Sequence, residues 1–320
     1  MDRPEAHPLS SKLAVLLFAL VVLSWALTWT VTKFIVVQVT PLWAIAIRCA
    51  IASVALFFIQ LVRGQLILPK LGDLPVLLTV SVLHMVAFST LVALGLKFVP
   101  LGRSIVLGYT TPLWVAPGAW LFLKERPTLR QLGGIVLGLI GLALMFNPRD
   151  FKSDNTDALL GNGVILIAAF FWAANILYVR AHRWVSTPFQ LLFWQTFLAG
   201  CVLVTLAITL DGVPHISWSV KLAAAFLFSG LCGTALAYWA MSMVNRSLPA
   251  TTTSLGLLAT PVVGVVCSVI GLGETITASL AISMITILGG IALGLPLRIN
   301  LSSRFASVSQ NPGAGERLRR

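Results

Sequence analysis

Pro100 and Pro249 stand 149 residues apart, and so do Thr111-Pro112 and Thr260-Pro261, Glu125 and Glu274, Thr128 and Thr277, and Gly141 and Gly290. Prolines, acids and a glycine held at one offset mark a duplicated unit, because chance hydrophobicity would not keep them in register. Nearer the front of each copy the offset is 147. It carries Trp25 onto Trp172, Lys33 onto Arg180, Thr40-Pro41 onto Thr187-Pro188 and Arg48 onto Gln195. Whatever one copy folds into, the other must fold into as well. The chain divides into a head (1–12), a first repeat (13–147), a polar linker (148–158), a second repeat (159–297) and a Ser-, Gly- and Arg-rich tail (298–320) expected to be disordered.

Both copies are too apolar for water. Hydrophobic residues make up 58% of the chain and charged residues 10%, far from the polar coat a soluble protein of this size needs. The apolar residues fall in blocks of about 20, enough for a helix to cross a bilayer core of roughly 30 Å. Periodicity and punctuation predict spanning helices over about 13–34, 42–62, 74–97, 104–123, 129–147, 159–180, 189–210, 220–243, 250–272 and 277–296. The first block is too long for a signal-peptide core and reads as the first span. Ten helices in two copies give five per copy. An odd number makes the second copy enter from the opposite side, so the predicted fold is all-α, with ten transmembrane helices in two inverted five-helix repeats.

With the amino terminus inside, the inner segments hold fifteen Lys and Arg and the outer ends six, Arg48 aside. That bias places both termini in the cytoplasm of a bacterial-type inner membrane. The net charge of +12 therefore belongs to helix ends. No basic patch with aromatic interleaving points to nucleic acid. Cys49, Cys201, Cys232 and Cys267 lie in apolar blocks without close spacing, which indicates neither disulfides nor a metal site. No His-Glu-x-x-His, Gly-x-Ser-x-Gly or phosphate loop occurs, so neither enzyme chemistry nor a cofactor is expected.

Function is then sought among polar groups at depth. Arg48 is a permanent cation inside the block Leu42–Gln60. A charge there marks a binding function by default, with snorkelling to the outer surface as the alternative, and it favours a substrate bearing a carboxylate. His84, mid-helix, is either a proton carrier or a neutral group bonded to a neighbouring helix. No Asp or Glu lies mid-membrane, which disfavours export of lipophilic cations. Trp25, Tyr109, Asn175 and Tyr238 supply the remaining polar handles at depth. Pro112 and Pro261 are expected to bend their helices and free the carbonyls of Gly108 and Leu257, four residues back. Glu125 and Glu274 are expected to cap helices or pair across loops. Gly134-x-x-x-Gly138 and Gly290-x-x-x-Gly294 read as close-packing stripes, within the chain or in a homodimer.

The paired tryptophans followed by Lys33/Arg180 and Pro41/Pro188, with the two Thr-Pro…Glu blocks, resemble the EamA domain of the drug/metabolite transporter superfamily. The resemblance covers residues 13–297. It implies an inner-membrane permease, usually an exporter, moving amino acids or related small metabolites by alternating access. It also implies a central cavity lined by helices 1, 3, 4, 6, 8 and 9. Trp25, His84, Tyr109, Asn175 and Tyr238 would lie on that cavity, with Arg48 on helix 2 less readily placed. Proton coupling through His84 stays open, and a multidrug exporter, a channel and a non-transporting scaffold or sensor remain as alternatives.

Overall fold

The structure, a computed structural model, describes residues 11–99, 101–144, 156–272 and 278–294. Pro100, Glu274, Thr277 and most of the linker, head and tail lie outside the described residues. Ten spanning segments occur among those described: α1 (Ser11–Val36), α2 (Pro41–Val62), α3 (Leu71–Phe98), α4 (Leu101–Gly108 and Thr111–Leu123), α5 (Leu129–Leu144), α6 (Thr156–Ala181), α7 (Pro188–Leu210), α8 (Val220–Ser247), α9 (Ala250–Gly256 and Ala259–Leu272) and α10 (Ala278–Gly294). They form two inverted five-helix repeats, α1–α5 and α6–α10.

The Thr-Pro pairs start the second helix of each repeat by different means. Proline is suited to the first helical position, where its missing N–H is no loss. Before α7, Thr187 completes a capping box: its hydroxyl accepts from Gln190 N at 3.3 Å and Gln190 Oε1 accepts from Thr187 N at 3.0 Å. Before α2 the third helical position is Trp43, which cannot reach back, and its indole Nε1 donates to Gly212 O at 2.8 Å instead. Thr187→Ala is expected to cost about 1 kcal/mol, while Thr40→Ala, with no side-chain cap to lose, changes little. Thermal melting in detergent reads the difference.

Packing exchanges between the repeats. α1 rests on α8 and α9, and α6 rests on α3 and α4. α2 packs on α7, and α5 on α10. The α5–α10 contact is made by the glycine stripes. A Cβ on Gly134 would sit 2.5 Å from Gly290 O, and one on Gly290 would sit 2.6 Å from Gly138 N. These stripes meet each other inside the chain, so that face of each helix is occupied without a second copy.

α4 and α9 both break where the repeat places Pro112 and Pro261. The carbonyls, however, are not free. Thr111 Oγ1 donates to Gly108 O at 2.7 Å, and Thr260 N donates to Leu257 O at 2.9 Å. The expectation of open carbonyls is corrected on this point. The same threonines that flank the prolines supply replacement donors, as an apolar surrounding demands.

Two further irregularities leave no mark in the sequence. α3 winds as a π-helix over Val80–Phe88, and α8 over Leu231–Leu236, at near-equivalent positions of the two repeats. In each, a hydroxyl reaches a carbonyl five residues back: Ser89 Oγ to His84 O at 3.2 Å and Thr234 Oγ1 to Ser229 O at 2.8 Å. Wide turns of this kind turn the following residues to a new face and often stand at functional sites.

Candidate functional site

The π-turns border a buried cavity of about 60 Å³ between α1, α2, α3, α4, α6 and α8. That is well below the roughly 300–1,000 Å³ of an ordinary small-molecule pocket, so the cavity is small in this state. Its walls are aromatic. Trp25 meets the rings of Trp172, His84 and Tyr238 edge-on at 5.5, 5.7 and 6.0 Å. The His84 ring lies nearly parallel to Trp172 at 5.6 Å and approaches Tyr238 at 4.5 Å. On the far side Trp29 Nε1 donates to Tyr109 Oη at 3.3 Å.

Two glycines allow this crowding. A Cβ on Gly233 would fall 2.5 Å from Thr28 Oγ1, and the bare backbone there accepts Trp25 Nε1 at 3.3 Å. A Cβ on Gly108 would lie 3.1 Å from the Trp29 ring.

Arg48 supplies the charge. It is buried on α2 and lines the cavity, with no snorkelling to the surface. Nη2 donates to Ser89 Oγ at 2.9 Å, and Ser89 is turned toward it directly after the π-turn of α3. Among the described residues Arg48 has no carboxylate partner, and its Nε has no acceptor. Trp172 Nε1, also on the cavity wall, is a second buried donor without an acceptor.

Of the residues expected from the sequence, Trp25, Arg48, His84, Tyr109 and Tyr238 line the cavity. Asn175 does not. It stands behind His84, with its Nδ2 3.3 Å from His84 Nδ1. The two groups share one hydrogen bond, whose donor depends on the His84 tautomer. Gln195, the repeat counterpart of Arg48, is also buried, and its side-chain amide has no partner among the described residues. Pro112 is buried at the start of the second α4 segment, and Pro261 lies in the second α9 segment. Neither is on the cavity wall.

Sequence reasoning missed Phe88, Ser89 and Gly233. An ordinary 3.6-residue register already puts Phe88 on the His84 face, whereas Ser89, five residues on, reaches it through the π-turn, and Gly233 acts through its carbonyl and its lack of a side chain. Trp172 was legible as the counterpart of Trp25. A second cleft, about 520 Å³ between α4 and α6, is lined by Trp114, Leu121, Phe122, Phe170 and Leu177 and offers no charged group to orient a solute. No cluster of three or more metal-ligating side chains occurs among the described residues, and the four cysteines are free.

Ten spanning helices in inverted repeats around a charged, aromatic cavity define a polytopic membrane transporter. The chain belongs to the EamA-like transporter family, whose model matches residues 12–147 and 159–295. It is 25% identical over 272 residues to the uncharacterized transporter YoaV of Bacillus subtilis, covering 85% of this chain and 92% of that one. It is 26% identical over 291 residues to a probable amino-acid metabolite efflux pump of Salmonella typhimurium, covering 86% and 92%. A solved crystal structure shares the fold with a TM-score of 0.75 at 18% identity, over 91% of this chain and 100% of its own.

Proposed function

We propose that the protein is a secondary transporter that exports amino acids or related small metabolites by alternating access. The carrying observation is Arg48: a buried, permanently charged side chain on the cavity wall, held by a hydroxyl and facing no carboxylate among the described residues. A guanidinium presents a fork of donors suited to a carboxylate. The vacant donors on Arg48 Nε and Trp172 Nε1 ask for acceptors, which a carboxylate carries and a lipophilic cation lacks. The same feature argues against the multidrug reading. The relative named for amino-acid metabolite efflux supports the substrate class without fixing it.

In this reading the repeats rock about the cavity, with both termini in the cytoplasm as the Lys and Arg distribution implies. The unit boundaries are those of the two repeats, 13–147 and 159–297. His84 is the proposed proton-coupling group, with the Asn175 amide as its hydrogen-bonding neighbour. His84→Gln is expected to keep exchange but lose the response of net uptake to an imposed pH gradient; an unchanged response removes His84 from coupling. The function itself is tested by counterflow in proteoliposomes, loading pooled amino acids and organic acids and reading exchange by mass spectrometry. Exchange of a carboxylate class supports the proposal. Exchange of amines or lipophilic cations alone overturns the substrate assignment, and absence of saturable exchange with folded protein favours a scaffold.

A further inference from the structure

At the end of the bundle remote from Lys33, one carboxylate of the first repeat holds three helices of the second. Glu125 lies just after α4. Its Oε1 accepts from Arg180 Nε on α6 at 2.9 Å, and its Oε2 accepts from Ala250 N, the first residue of α9, at 3.1 Å. Arg180 in turn donates through Nη1 to Arg246 O on α8 at 3.2 Å. Glu125 thus caps α9, across the repeat boundary, and not the α5 that follows it in the chain. Three further polar ties between the repeats lie at the same end, while Trp43 and Gly212 make one at the other. Asp73 accepts from Val185 N and Ser186 N at 3.1 Å, Trp194 Nε1 donates to Ile67 O at 2.6 Å, and Gln60 Nε2 donates to Phe189 O.

Directly behind Glu125 runs the first segment of α9, Ala250–Gly256, and all seven of its residues are buried. Four of them carry hydroxyls. A threonine in a membrane helix ordinarily gives its hydroxyl to a carbonyl three or four residues back, as Thr28 does to Ser24 O at 2.7 Å and Thr196 does to Leu192 O at 3.1 Å. Thr252 and Thr253 do not: both hydroxyls are buried without a partner, and so is Oδ1 of Asn245 near the end of α8. A buried polar atom left unpaired is costly. A helix that is polar and buried on every side, with several such atoms, is suited to a state in which water or solute reaches it.

We infer that the Glu125–Arg180 pair is a latch on this end of the carrier. Releasing it uncovers Thr252, Thr253 and Asn245 as the polar wall of the path between the cavity and the adjoining membrane face, cytoplasmic on the charge-bias reading. The inference rests on the carrier reading above and adds to it the residues that seal and line one half of the path. The α9 segment packs against α4, α5, α6, α8 and α10, so parting α4 from the start of α9 removes one of the helices that bury it. The wall carries hydroxyls and an amide and no charge, which lets a carboxylate pass without being held there.

The test is thiol labelling of Thr253→Cys, in the full chain with Cys49, Cys201, Cys232 and Cys267 replaced by alanine. A charged methanethiosulfonate is applied to inside-out vesicles and, separately, to right-side-out cells. With Glu125 intact, labelling from the cytoplasmic side is expected to be slow. Glu125→Gln or Arg180→Gln should accelerate it at least about tenfold, the equivalent of losing one charge-assisted bond. The exchanged pair, Glu125→Arg with Arg180→Glu, restores the ion pair but not the bonds to Ala250 N and Arg246 O, so it should slow labelling only in part. Rapid labelling in the parent, or equal rates in the parent and both single variants, overturns the inference. Counterflow on the same preparations separates the two readings. Accelerated labelling without exchange of any compound leaves the latch standing and removes the carrier, and exchange with unaltered labelling does the reverse.

Discussion

Arg48→Met is expected to leave a folded protein that no longer exchanges carboxylate substrates at ordinary concentrations. Methionine approximates the length of the arginine stem, and replacing a buried charge by an apolar side chain of similar volume is often neutral or stabilising. Ser89, the partner of Arg48, keeps its second bond to His84 O, so no new unpaired hydroxyl is created. What disappears is the charge-assisted pairing with the substrate, about 1.5–3 kcal/mol per bond, or roughly ten- to hundred-fold in apparent affinity. Arg48→Lys should recover part of it, because the charge returns without the planar fork. Saturation curves for counterflow and the melting temperature of each variant check both halves. Unchanged exchange by folded Arg48→Met would place the carboxylate elsewhere.

Gly290→Leu is expected to have the largest effect on stability. Atoms beside the added Cβ would be backbone: Gly138 N at 2.6 Å and Gly134 O at 2.7 Å. Backbone cannot rotate away as the end of a side chain can, so α5 and α10 must separate along their whole shared face. Overpacking of this kind costs about 1–3 kcal/mol where side chains can adjust, and here the upper end of that range is the expectation. Gly289→Leu is the control, since its Cβ would meet only Leu137 Cδ2 at an ordinary 3.8 Å. Fluorescence-detected size exclusion after heating should show an early loss for Gly290→Leu and little change for Gly289→Leu.

The fold was legible because its determinants are residues. Prolines, a pair of Thr-Pro starts and the glycines of α5 and α10 each act where they stand, and their spacing announces two inverted copies. The chemistry of the cavity was legible for the same reason. Arg48, His84 and the aromatic groups are conspicuous at membrane depth, and five of six expected side chains line one cavity. What escaped depends on backbone path. A π-turn has no residue signature, so Ser89, five residues after His84, could not be assigned a face. The freed carbonyls were inferred from proline alone, whereas the neighbouring Thr111 hydroxyl and Thr260 amide fill them. Glu125 carries a sequence cue for a helix start, but which helix it caps is decided by the association of the two repeats, which no local pattern encodes.

Because Arg48 has no counter-charge among the described residues, the cavity holds a net positive charge, which the proposed alternating access would connect first to one compartment and then to the other. Membrane voltage would then act on the transporter itself. A full elementary charge across the field is worth about 2.3 kcal/mol per 100 mV, and a site partway through the membrane feels a fraction of that. With the interior negative, the unloaded protein would be drawn toward the state open to the cytoplasm. A bound carboxylate with no compensating cation cancels the charge, and the loaded protein then crosses with little electrical work. The resting potential of the cell would thus return the vacant binding site to the compartment from which cargo is collected.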